Sequence, residues 1–168
     1  MNSIWHGGIS LVHLLAALGA LATGTASLLA PKGTRWHRLV GWMYVSSMVV
    51  VLGTAFRIYN LFGLFGIVHW GAVGSALALL AGVGAAAGRA VVPNWLQWHY
   101  LGMGASVTGL YAALVAESIY RFFPVAYFWW STLGPATAVL LAGALLLYRW
   151  YPAPTAAARP VRSSYRRQ

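Results

Sequence analysis

Long apolar runs alternate with short polar breaks along nearly the whole chain. At about 20 apolar residues per bilayer crossing, the runs over 7–30, 37–59, 63–88, 95–116 and 125–148 predict five membrane-spanning helices. The breaks carry turn chemistry, as in "APKGTR" at 30–35 and "GRAVVPN" at 88–94, where proline and glycine end one helix before the next begins. The first run is too long for a removable signal peptide and lacks its basic start and small-residue cleavage site, so it is expected to stay as a helix. Pro135 falls inside the fifth run and is expected to kink it. The pattern predicts an all-α, polytopic transmembrane helical bundle over residues 1–150: four core helices plus one extra helix.

Composition strengthens the membrane reading. The 168 residues are 60% hydrophobic and only 7% charged, against about 25% charged in soluble domains. The net charge of +10 is informative through its placement. Lys32, Arg35, Arg38, Arg89, Arg149, Arg159, Arg162, Arg166 and Arg167 fall on one side of the predicted spans, and Arg57 and Arg121 on the other. The positive-inside rule then sets the N-terminus outside and the C-terminus in the cytoplasm. The basic tail, 151–168, is expected to be a disordered cytoplasmic segment lying on anionic lipid headgroups. Membrane lipids, not nucleic acid, are the partners this charge implies.

Absences remove whole classes of chemistry. The chain has no cysteine and no aspartate, and Glu117 is its one glutamate. Paired-carboxylate catalysis, thiol nucleophiles and thiolate metal sites are therefore excluded. Any haem would be held non-covalently, because covalent attachment needs cysteines. Glycine runs such as "GVGAAAG" lie within apolar spans without a following GK[ST], so they read as helix-packing residues rather than phosphate loops.

Histidines are what remain. Ionisable groups inside a membrane are costly and mark functional sites by default. His13, His37, His69 and His99 fall one per span in the first four spans. Counting from alternating faces places His13 and His69 about two turns, roughly 10 Å, inside the outer face, and His37 and His99 near the cytoplasmic face. Two pairs at matched depths on alternate helices suit two b-type haems, each taking two axial imidazoles across a helical bundle.

Small residues flank each histidine: Ala17, Ala20, Gly24 and Ser27 continue the His13 face, and Gly41, Tyr44 and Met48 the His37 face. Gly102, Met103 and Ser106 follow His99, while Ala72 and Ala76 follow His69. Such faces admit a flat macrocycle or simply serve helix packing. Arg35 and Arg38, with Lys32, stand beside the inner pair and Arg57 beyond the outer one. These cations suit haem propionates, topology signalling or, for Arg57, a pairing with Glu117. His6, near the outer surface, reads as interfacial. Trp36, Trp42, Tyr44, Trp98 and Tyr100 could edge a quinone pocket or belong to an interfacial belt.

The stretch "HLLAALGALATGTASLLAPKGTRWHRLVGWMYV", with HxxxxxG and HRxxGxxY motifs, resembles an uncharacterised bacterial family of predicted membrane proteins. "WHYLGMGASVTGLYAALVAE" resembles that family's second half, so the likeness covers about Leu11 to Glu117. Through that family the chain resembles the cytochrome b561-like superfamily, whose four-helix core holds two haems. The resemblance implies ligand pairs His13 with His69 and His37 with His99. The expected function is a dihaem membrane cytochrome carrying electrons between two bis-histidine haem b groups. Quinol, an ascorbate-like reductant or a redox protein would be its partner. Unlike the ascorbate-dependent enzymes of that superfamily, the chain has five predicted spans rather than six. The alternatives are a haem-free protein using the histidines for a non-haem metal or a proton relay, and a small subunit of a larger membrane complex.

Overall fold

In the computed structural model the apolar runs form five long helices: α1 Ser3–Leu29, α2 Arg35–Ala55, α3 Ile67–Ala87, α4 Trp95–Ile119 and α5 Phe128–Arg149, with a 3-10 turn, Val125–Tyr127, leading into α5. The structure describes residues 3–58, 65–119 and 122–152. The His6 side chain, Arg121, the predicted start of the third span at 63–64 and the tail from 153 onward lie outside the described residues.

The α1–α2 connection is short enough to force an antiparallel hairpin, and its residues fix both helix ends. Gly33 takes a φ of +79°, a conformation that glycine adopts without steric penalty. Thr34 caps α2, its hydroxyl accepting from the His37 amide at 3.1 Å. Lys32 donates its ammonium to the Ser27 and Leu28 carbonyls at 2.8 and 2.7 Å, meeting two of the carbonyls that a helix end leaves without partners.

Two tight hairpins, α1–α2 and α3–α4, make up the core, and packing between them is much sparser than within them. Along the first, Gly19 meets Ser47, Gly24 lies on the Tyr44 ring and Gly41 faces Ser27. Along the second, the backbones touch at Gly82 and Gly102. Helix α5 runs antiparallel on the outside of α4, with Leu147 against Gly104 and Thr108 against Gly143. Pro135 lies inside α5 without ending it.

Between the hairpins, the fully buried Tyr44 and Ser106 join α2 to α4 by a 2.8 Å hydrogen bond, surrounded by Ala20, Met48, Leu79, Val107 and Leu110. Tyr44→Phe leaves the Ser106 hydroxyl without this partner, an expected loss of about 1–2 kcal/mol, read as a lower thermal midpoint in detergent with the helix content unchanged.

The exterior is apolar. Leu11, Leu15 and Leu18 of α1, Trp42 and Val49 of α2, Leu77 and Leu80 of α3, and Leu141 and Leu145 of α5 all face outward, an arrangement suited to lipid rather than water. Among the described residues α1, α2, α3 and α5 are long and apolar enough to cross a membrane. Helix α4 is as long but more polar, and the reason is its place in the fold. It lies against α1, α3 and α5, so its Gln97, His99, Ser106, Thr108 and Tyr111 spend their polarity on protein partners.

Candidate functional site

His37 and His99 come together at the basic end of the bundle. His37 is the third residue of α2 and His99 the fifth of α4. Their rings meet nearly perpendicular between the hairpins, with centroids 6.5 Å apart and planes at 88°. Two imidazoles sharing one metal, each bonded at about 2 Å, have ring centres about 6 Å apart. The observed spacing matches that value.

Each ring is also oriented from behind. His37 Nδ1 lies 3.2 Å from the Ser27 carbonyl, and His99 Nδ1 lies 2.9 Å from the Gly82 carbonyl. A carbonyl oxygen only accepts, so each Nδ1 is the donor and each neutral ring keeps its lone pair on Nε2. Donation of the second ring N–H to a carbonyl is the usual support of a metal-bound histidine. The supply of acceptors is local. Ser27 sits in the last turn of α1, where carbonyls lack helical partners, and Gly82 has no side chain to keep α4 away from its backbone.

At the opposite end the two histidines differ. His13, half-buried, has Nδ1 2.8 Å from the Thr54 hydroxyl. His69 is buried, and its Nδ1 accepts the Gly66 amide at 3.1 Å. Its ring stacks on Phe65, with centroids 4.9 Å apart, and leans on Phe56 at 6.3 Å. Both histidines therefore lie at the C-terminal end of α2, reached through Thr54 and Phe56. The third helix begins later than its apolar run. Helix α3 starts at Ile67, so His69 lies in its first turn, where its ring accepts the amide of the Gly66 N-cap.

The small faces turn out to serve packing at several points. A Cβ on Gly24 would stand 3.0 Å from the Tyr44 ring, and one on Gly102 would stand 2.4 Å from the Gly82 amide nitrogen. Around Gly41 the space is looser, with Ser27 Oγ at 3.9 Å. Tyr44 and Ser106 lie seven residues beyond His37 and His99 respectively, so their hydrogen bond closes the bundle about 10 Å further along the axis.

Arg35 and Arg38 are exposed on the first turn of α2, and Arg57 is exposed just past its end. Lys32 is turned onto the α1 carbonyls, and burial holds its ammonium below the ordinary lysine pKa. Trp36, Trp42 and Trp98 face outward, Tyr44 lies in the core, and the Tyr100 hydroxyl donates to the Leu147 carbonyl. An open apolar groove of about 580 Å³ between α1 and α4, floored by Thr25 and Tyr111, is lined by none of the four histidines.

Three groups escaped the sequence: Thr54, the Gly82 carbonyl and the Ser27 carbonyl. The only cue was the turn at 30–35, which marks the end of α1 and hence its free carbonyls. No family model, curated protein or solved structure matches the chain.

Proposed function

We propose that the chain is a membrane-embedded b-type cytochrome with His37 and His99 as the axial ligands of one haem and His13 and His69 as those of a second. The observation that carries this reading is the His37–His99 pair, with ring centroids 6.5 Å apart and both Nδ1 atoms held by carbonyls. The donor set favours haem over a bare metal ion. A zinc site takes at least three protein ligands, and no group of three or more His, Cys, Asp or Glu side chains occurs among the described residues. A porphyrin brings its own equatorial nitrogens and asks the chain for two.

Haem bound between these histidines supplies one-electron redox chemistry in an apolar surrounding. The chain's own part is ligation, ring orientation and exclusion of water. Arg35 and Arg38 at one end and Arg57 at the other offer cations to the propionates. The two sites are unequal. For His69 to ligate through Nε2 its ring must give up the Gly66 amide, a loss of about 1 kcal/mol, whereas His37 and His99 need no such change.

In this reading α4, 25 residues long and so about 37 Å, is a fifth span shielded from lipid by its neighbours. The basic end faces the cytoplasm of a bacterium, with the N-terminus outside. Quinol, a small ascorbate-like reductant or a redox protein exchanges the electrons, and membrane lipids cover the rest.

Visible spectra of detergent-purified protein, oxidised and dithionite-reduced, test the proposal when haem is quantified per chain. The expected result is the sharp reduced bands of six-coordinate b-type haem at about two haems per chain, the second more easily lost. A colourless chain that takes up no haem when haem is supplied during expression overturns the proposal.

A further inference from the structure

One side chain outside the candidate ligand set decides which nitrogen His13 offers. Thr54 is the penultimate residue of α2. Its hydroxyl carries one hydrogen, and the Val50 carbonyl at 2.7 Å, with the Val51 carbonyl at 3.0 Å, takes it, as threonines within helices commonly do. The oxygen is left with lone pairs, so at 2.8 Å the His13 Nδ1 is the donor. A neutral imidazole has one N–H, and with that hydrogen on Nδ1 the lone pair is on Nε2.

We propose that Thr54 is the positioning residue of His13, fixing the Nδ1–H tautomer and the ring rotation so that Nε2 is presented as an electron-pair donor at the far end of the bundle. The haem consequence of this rests on the cytochrome reading; the tautomer itself does not. His69 marks the contrast. The Gly66 amide donates to its Nδ1, which assigns the opposite tautomer, so the two far-end histidines carry their protons on different nitrogens. Thr54 makes His13 the one ready to ligate, and it does for His13 what the Ser27 and Gly82 carbonyls do for His37 and His99. It differs from them in being a side chain, and can therefore be removed.

Thr54→Val keeps the shape and deletes the acceptor, while Thr54→Ser keeps the acceptor. The first readout is NMR of isotope-labelled imidazole nitrogens in the haem-free full chain in detergent, above the pH at which histidine protonates. Wild type and Thr54→Ser are expected to show His13 protonated at Nδ1, and Thr54→Val to move that proton partly or wholly to Nε2. The second readout is haem retention. The far-end component of the reduced spectrum is expected to be held about tenfold more weakly in Thr54→Val, to recover in Thr54→Ser, and to leave the His37–His99 component unchanged. An unchanged His13 tautomer in Thr54→Val overturns the proposal, as does a changed tautomer with far-end retention intact. A wild-type chain that takes up no haem overturns the cytochrome reading instead, and the nitrogen spectra then decide the role of Thr54 by themselves.

Discussion

Replacing His37 by alanine is expected to abolish one spectral component of the bound haem, and replacing His99 by alanine is expected to abolish the same one. The two rings are 6.5 Å apart and oriented by carbonyls on different hairpins, so they form one site through two independent supports. Loss of an outer-shell partner alone typically weakens metal binding about 10–100-fold. Loss of a ligand is expected to exceed that and leave no retained haem at this end. The double variant is expected to look like either single one, because the first substitution already removes what the second would. Added imidazole should restore part of the component in His37→Ala by filling the space the ring leaves.

A milder substitution makes the same argument sharper. The acceptor of His37 Nδ1 is the Ser27 main-chain carbonyl at 3.2 Å, and the Ser27 hydroxyl stands further off at 3.5 Å. Ser27→Ala is therefore expected to leave the component in place, although Ser27 touches the ligand. If His37→Ala and His13→Ala remove the same component, there is one shared site and the two-ended arrangement fails.

Much of this architecture was legible in the sequence because it follows from length and apolarity, which need no knowledge of contacts. Five runs gave five helices, with ends displaced by a few residues. The third run shows where such reading stops. Hydropathy carries on through residues 63–66, but α3 starts only after Gly66, which serves as its N-cap, with the His69 ring closing the turn. Apolarity reports what lipid tolerates and says nothing of where amides find partners. The proximity of His37 and His99 follows from the alternating direction of successive helices, which puts the starts of α2 and α4 at the same end. The acceptor of His99, the Gly82 carbonyl, was invisible because carbonyls leave no trace in residue identity, and that of His37, the Ser27 carbonyl, was cued only by the turn that ends α1. The glycines were ambiguous for a related reason: a residue without a side chain suits a macrocycle and a neighbouring helix equally, and only contacts such as Gly24 on Tyr44 decide between them.

Gly102→Ala is expected to be the most damaging glycine-to-alanine change among the described residues. Its new Cβ would lie 2.4 Å from the Gly82 nitrogen, 2.6 Å from the Ala78 oxygen and 2.6 Å from the Gly82 Cα. All three are backbone atoms of α3, so no rotamer change can relieve the clash and the helices must separate. Overpacking of this kind costs about 3 kcal/mol when the surroundings cannot give, which should appear as a marked fall in the thermal midpoint in detergent. Gly71→Ala, with nothing within 4 Å of the new methyl, is the control and is expected to leave the midpoint unchanged. The effect should also reach the site. His99 stands three residues from Gly102 and donates to the carbonyl of Gly82, the residue that Gly102 touches. Parting α3 from α4 lengthens that bond and releases the His99 ring from its orientation. Gly102→Ala is therefore expected to weaken the His37–His99 component even in the fraction that stays folded, while the component that depends on His13 persists. Equal loss of both components would mean that the variant acts through global unfolding, and that the Gly82–Gly102 contact holds the bundle together without aiming His99.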